Sequence, residues 1–170
     1  MDFVSIPEER IGVLIGEKGS VKRQIEKRGS VKLSVEGNTV SIEGDGLAAF
    51  KARDVVQAIG RGFNPEFAMM LFGDEYVFEM ISLGDVAPEQ SWGRLRGRVI
   101  GESGRGRKFI EKFTGAFVSV YGKTISLVGS YDDVALAREA VGMLLTGAKH
   151  GTVRRFLDHE VKKRREQRSV

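Results

Sequence analysis

The sequence predicts an α+β protein made of two related halves, each running strand, helix, glycine loop, helix, strand, strand, helix. The chain matches itself at an offset of 85 residues, and both halves run through strand-like and helix-like stretches in the same order. Between the halves, Gly60, Gly62 and Pro65 interrupt the pattern.

The shared register is specific. Gly16-Glu17-Lys18-Gly19 falls on Gly101-Glu102-Ser103-Gly104, Ile25-Glu26-Lys27 on Ile110-Glu111-Lys112, and Gly37-Asn38-Thr39-Val40-Ser41 on Gly122-Lys123-Thr124-Ile125-Ser126. Upstream of the glycine loops it fails, because the second half carries an insertion over residues 84–91.

In the first half, alternation of Phe3 and Ser5 with Val4 and Ile6 predicts a half-buried strand. Ser5-Ile6-Pro7-Glu8 offers a capping-box start for a helix that runs to about Ile15. After the glycine loop, Val21 and Ile25 amid Lys22, Arg23, Glu26 and Lys27 give a short amphipathic helix closed by Gly29. Residues 31–35 and 40–42, joined at Gly37-Asn38, read as a hairpin. Leu47, Phe50, Ala52, Val55, Val56 and Ile59 recur at helical spacing. Residues 65–72 read as a short apolar helix. The second half repeats the order, with a strand over 76–83, a hairpin over 116–120 and 125–128, and a helix carrying Val134, Leu136, Val141, Leu144 and Leu145. Val153, Phe156, Leu157 and Val161 then predict a basic amphipathic helix. The expected organisation is a first domain over 1–62, a helical linker over 63–74, a second domain over 75–147 and a basic helical tail over 148–170.

Composition narrows the function. The 170 residues include no cysteine and two histidines, His150 and His159, which are expected at exposed polar positions; neither a metal site nor a cofactor is expected. No stretch approaches the roughly 20 apolar residues of a membrane helix, and Met1-Asp2-Phe3-Val4 lacks a signal-peptide pattern, so a cytoplasmic protein without membrane attachment is expected. The net charge is +4. From Lys149 onward eight basic residues face three acidic ones, so this tail carries about +5 and the body about −1.

Catalytic motifs fail on inspection. Gly122-Lys123-Thr124 resembles the end of a phosphate-binding Walker loop, but Phe117 stands where that loop needs its first glycine. Gly44-x-Gly46-x-x-Ala49 reads as a helix cap rather than a dinucleotide fingerprint. No nucleophile and base set has positional support, so the chain is not expected to be an enzyme.

The duplicated glycine pair is the candidate site. Glycine lets a ligand backbone approach without a Cβ and tolerates positive φ, while a following helix offers amide donors and the positive end of its dipole. Candidate contacts are Gly16, Glu17, Lys18, Gly19, Lys22 and Arg23 in the first half. In the second they are Gly101, Glu102, Ser103 and Gly104 with Arg94, Arg96, Arg98, Arg105, Arg107 and Lys108. Arginine donates bidentately to phosphate, and its density there makes the second loop the expected principal clamp. Leu95, Val99, Ile110, Val118 and Val120 are candidates for an aliphatic groove floor, although several must serve the core. Trp92 either stacks a base or packs the insertion.

Ile-Gly-x-x-Gly followed by a helix, a hairpin and a helix resembles the type I KH domain, twice in tandem; that resemblance implies for each a βααββα unit, a three-stranded antiparallel sheet against three helices, with one basic helix added after the second. More closely, Arg96-Gly97-Arg98-Val99-Ile100-Gly101, Thr114-Gly115-Ala116, Ser119-Val120-Tyr121-Gly122-Lys123-Thr124 and the intervening Gly62-Phe63-Asn64-Pro65-Glu66 resemble an archaeal KH ribosome-assembly factor related to the eukaryotic partner-of-Nob proteins. That resemblance implies binding of single-stranded RNA at the 3′ end of small-subunit ribosomal RNA. It implies as further partners the endonuclease that matures that end and the α subunit of translation initiation factor two. The Glu102-Ser103 pair departs from the basic residue usual between such glycines, so Glu102 should point away from phosphate or meet a base edge. The alternative reading is a protein-interaction scaffold that docks the nuclease or initiation factor and binds little RNA itself.

Overall fold

In the computed structural model residues 1–169 are described; Val170, the last residue of the expected tail, lies outside them. The chain divides into two compact units, Met1–Phe78 and Glu79–Val170. It is a mixed α/β protein with two three-stranded antiparallel sheets and, among the described residues, eight α-helices.

The first unit runs β1 (Asp2–Ser5), α1 (Glu8–Ile15), α2 (Ser20–Gly29), β2 (Lys32–Glu36), β3 (Thr39–Glu43), α3 (Gly46–Gly60) and α4 (Pro65–Ala68), with a 3₁₀ turn over Met69–Phe72. Its sheet order is β1-β3-β2, with Val4 opposite Val40 and Leu33 opposite Ile42. These residues, with Leu14, Ile25 and Ile59, form the buried core, which the helices close over. Burying each such side chain contributes about 1.5–3 kcal/mol.

Three local expectations differ. Ser5 does not cap α1: it is held extended opposite Thr39, and Pro7 stands at the helix start with no side-chain cap. Gly29 does not close α2, because Ser30 takes the left-handed turn at φ 52°. Gly29 instead makes room, since a Cβ there would lie 2.8 Å from the Phe72 ring. At the start of α3 the cap is Asp45, whose carboxylate accepts from the Ala48 amide at 2.9 Å, rather than either flanking glycine.

The second unit contains β4 (Tyr76–Ser82), within which the division falls, α5 (Trp92–Ile100), α6 (Arg105–Thr114), β5 (Phe117–Tyr121), β6 (Thr124–Ser130), α7 (Tyr131–Leu145) and α8 (His150–Arg168). Its sheet order is β4-β6-β5, and Val118 pairs with Leu127 and Val120 with Ile125. Helix α8 packs on α6 and α7 through buried Val153 and Leu157.

The residues that carry the repeat build matched hydrogen bonds. Glu26 accepts from the Leu33 amide at 2.9 Å, and Glu111 from the Val118 amide at 3.0 Å, 85 residues later. Each carboxylate ties the helix after the glycine loop to the first hairpin strand. No helix among the described residues is long and apolar enough to cross a membrane.

Candidate nucleic-acid interface

Each glycine loop joins two helices whose first or last turn it forms. In the first, Gly16, Lys18 and Gly19 have φ of 75°, 53° and 76°; in the second, Gly101, Ser103 and Gly104 have φ of 71°, 54° and 77°. Positive φ at three of four residues breaks the helical path between the two helices and explains glycine at both ends. Helices α2 and α6 begin at the second glycine with no side-chain cap, so their first amides remain without a side-chain acceptor. An uncapped helix start with its dipole behind it suits an anion such as phosphate.

The two glycines of a loop do different work. A Cβ at Gly101 would lie 2.6 Å from the Gly106 amide nitrogen and 3.0 Å from the His150 ring, so internal packing alone requires glycine there. At Gly104 the nearest atom, on Lys108, would be 4.0 Å away. Gly104 therefore leaves a ligand backbone room to approach.

The loops also differ from each other. In the first unit Arg23 folds back, donating to the Lys18 carbonyl at 2.7 Å, and its guanidinium would meet a Cβ on Gly19 at 3.0 Å. The side chain stands over the loop. Lys108 occupies the matched position in the second unit and makes no such bond, so that loop is open.

The remaining sequence candidates separate by their contacts. Arg94, Arg105 and Lys108 are exposed and make no ion pair among the described residues. Glu17, Lys18, Glu102 and Ser103 are exposed on the loops. Arg96 donates to the Gly122 carbonyl at 2.8 Å, Arg107 pairs with Glu111 at 2.9 Å, and Lys22 faces Glu26 at 4.0 Å.

Arg98 departs from its expected role. Its Nε donates to the Leu144 carbonyl and its Nη2 to the Ala148 carbonyl, at 2.8 and 2.9 Å. It is a buttress for the end of α7. Arg10 does the same in the first unit, to the Ile59 and Phe63 carbonyls, each at 2.8 Å. The acceptors are related by the 85-residue offset, but the arginines are displaced by one helical turn, so the register conceals the equivalence.

The expected groove floor is mostly core. Leu95, Val99, Ile110 and Val118 are buried and unavailable to a ligand, while Val120 is half-buried. Trp92 packs the insertion, its indole N–H donating to the Ala87 carbonyl at 2.9 Å. His150 is not an exposed polar residue: it is half-buried behind the second loop, with Nε2 2.6 Å from the Arg98 carbonyl and its ring edge-on to Phe109. His159 is exposed, and the described residues contain no cluster able to hold a metal.

Comparison with known proteins agrees with this geometry. A KH-domain model matches residues 2–58, and a model described as a eukaryotic-type KH domain, KH-domain type I, matches residues 77–162. A KH domain-containing protein from Methanocaldococcus jannaschii is 51% identical over 170 residues, covering 96% of this chain and 75% of that protein. The chain belongs to the KH-domain family. Gly16–Gly19 falls within the first match and Gly101–Gly104 within the second.

Within the family it is an archaeal-type relative of PNO1. The pre-rRNA-processing protein PNO1 of Yarrowia lipolytica is 31% identical over 125 residues, although this chain spans only about half of that protein, 48%. Among solved structures, Dim2p from Pyrococcus horikoshii superposes with a TM-score of 0.88 at 43% identity, covering 93% of this chain and 98% of that one. A chain from the a/eIF2alpha–aDim2p–rRNA complex of the same organism gives 0.89 at 43% identity, covering 95% and 94%. These relatives are KH-domain and RNA-processing proteins rather than enzymes.

Proposed function

We propose that this protein binds single-stranded RNA during ribosome assembly, with Gly101–Gly104 as the principal clamp and the 3′ end of small-subunit ribosomal RNA as its target. The observation that carries the reading is the open second loop. Gly104 leaves space for a phosphate, the α6 amides are uncapped, and exposed Arg94, Arg105 and Lys108 supply cations. The first loop, covered by Arg23, binds more weakly. Glu102, exposed beside Ser103, turns away from phosphate or meets a base edge. The crystallised complex of the Pyrococcus relative with rRNA supports RNA as the ligand, and the PNO1 name supports pre-rRNA processing.

The assignment extends to the architecture and setting. We assign each unit the βααββα type I arrangement, with domains over 1–62 and 75–147, a linker over 63–74, and α8 as an added basic element in a tail over 148–170. The protein acts in the cytoplasm.

Titration with single-stranded RNA tests the clamp. Ser103 already sits at a left-handed φ that aspartate tolerates, so Ser103→Asp adds a negative charge without moving the backbone. It should weaken binding about tenfold or more, the effect of about 1.4 kcal/mol of repulsion. Lys18→Asp should cost less. Unchanged affinity in Ser103→Asp rejects the clamp.

A second reading, a scaffold for protein partners, is favoured by the a/eIF2alpha chain in the crystallised complex of the relative. On that reading the α subunit of translation initiation factor two, or the 3′-end endonuclease, binds this chain equally well with and without RNA. A binding assay with purified factor separates the two.

A further inference from the structure

Helices α6 and α8 lie side by side and run in the same direction. His150 meets Gly106 at the start of α6, the Arg154 guanidinium stacks 5.2 Å above the Phe109 ring, and Val161, Arg165 and Arg168 face Lys112 and Gly115 at its end. Between the two helices' ends is a cleft of about 290 Å³.

The cleft is cationic and its acid is neutralised. Asp133, the one carboxylate lining it, is held by Arg164 at 3.0 Å, and Arg164 also donates to the Asp132 carbonyl at 2.6 Å. Lys112, Arg165 and Arg168 are exposed and make no ion pair among the described residues. Arg105, Lys108 and Lys112, spaced three and four apart, share the exposed face of α6 and lead from the glycine loop to this cleft.

We propose that the groove between α6 and α8 is a second phosphate-binding track, which carries the RNA strand beyond the nucleotides held at the Gly101–Gly104 loop. The proposal rests on the reading of that loop as an RNA clamp. A KH loop holds about four nucleotides. From Gly104 to Lys112 the helix rises about 12 Å, at 1.5 Å per residue. That length matches about four further nucleotides at the 3.4 Å spacing of a stacked strand. The cations are spread along the path rather than gathered at one point, as a polyanion requires and a single phosphate does not. Because Arg164 pairs the one carboxylate lining the cleft, a strand laid there meets no unpaired carboxylate.

The test uses mixed-sequence single-stranded RNA pools of about 4 and about 10 nucleotides. The combined variant Lys112→Gln, Arg165→Gln, Arg168→Gln keeps the apolar stems and removes three charges. It should bind the ten-nucleotide pool about a hundredfold more weakly near 0.1 M salt, with a salt slope shallower by about 2, and bind the four-nucleotide pool as wild type does. Ser103→Asp should weaken both. Unchanged binding of the longer pool by the triple variant overturns the track, as does an equal loss for both lengths, which would put these cations at the loop. If Ser103→Asp changes neither while the triple variant loses only the longer pool, the loop reading fails and the track stands. An unaltered melting temperature in the triple variant checks that its fold is intact.

Discussion

The Nε2 atom of His150 lies 2.6 Å from the carbonyl oxygen of Arg98, which makes the first residue of α8 part of the support for the second glycine loop. In the first unit Val21 fills the space beneath Gly16; in the second, the matched residue is Gly106, and the His150 ring occupies that place. His150→Ala should therefore open a cavity and leave a carbonyl unpaired, at about 2–3 kcal/mol. Denaturant unfolding of the variant measures this, and RNA affinity should fall with it because the loop loses its backing.

The first and second glycines of the loop should respond differently. Gly101→Ala drives a methyl group into the Gly106 backbone and should cost more than about 2 kcal/mol, whereas Gly104→Ala meets only the left-handed backbone penalty of about 1–2 kcal/mol. A thermal melt of both variants checks the order. An aspartate at Gly101 would confound packing with charge, so Ser103 is the better position for probing RNA.

Arg98 and Arg105 should separate structure from binding. Arg98→Ala removes two hydrogen bonds to the carbonyls that end α7 and should destabilise by about 2 kcal/mol with an unchanged salt slope for RNA. Exposed Arg105→Ala should leave stability within about 0.5 kcal/mol and flatten the salt slope by about 0.7.

Glu111 joins Arg107 on its own helix to the Val118 amide on β5. Glu111→Ala should cost about 1–3 kcal/mol because a partly buried amide loses its acceptor. Arg107→Ala, which removes only the half-exposed ion pair, should cost under about 1 kcal/mol. Paired chemical denaturation curves decide.

Burial on α3 raises the Asp54 carboxyl above the ordinary aspartate range, and the nearby Arg53 charge only partly opposes this. The folded state then binds protons more tightly than the unfolded one, so this group's contribution to stability falls as pH rises through that window. Asp54→Asn should be more stable than wild type at neutral pH, with the difference vanishing in acid. Asp74 has the opposite sign: its bond with Lys51 holds its carboxyl low, and that support is lost as pH falls. Melting temperature against pH for Asp54→Asn and Asp74→Asn measures both.

Much of the site was legible because it is local. The flanking helices and exposed cations of each glycine loop lie within about ten residues of that loop, and chain geometry over so short a span follows from φ preferences and helical period. Glu111 was visible only as a repeated residue; its bond to Val118 needed the hairpin folded against α6. Arg98 looked like one more cation in a basic run because sequence shows a guanidinium's charge but not which carbonyls it reaches, here 46 and 50 residues away.

The sequence by itself determined that the protein is duplicated, that each copy carries one glycine loop at a helix start, and that positive charge gathers around the second and in the tail. Tertiary structure alone decided that His150 stands in for Val21, that Arg98 reaches the carbonyls ending α7, and that the tail lies along α6. The physical reason is reach: backbone conformation is fixed by neighbours in the chain, whereas the space beneath a glycine is filled by whichever distant side chain lowers the free energy of the packed core.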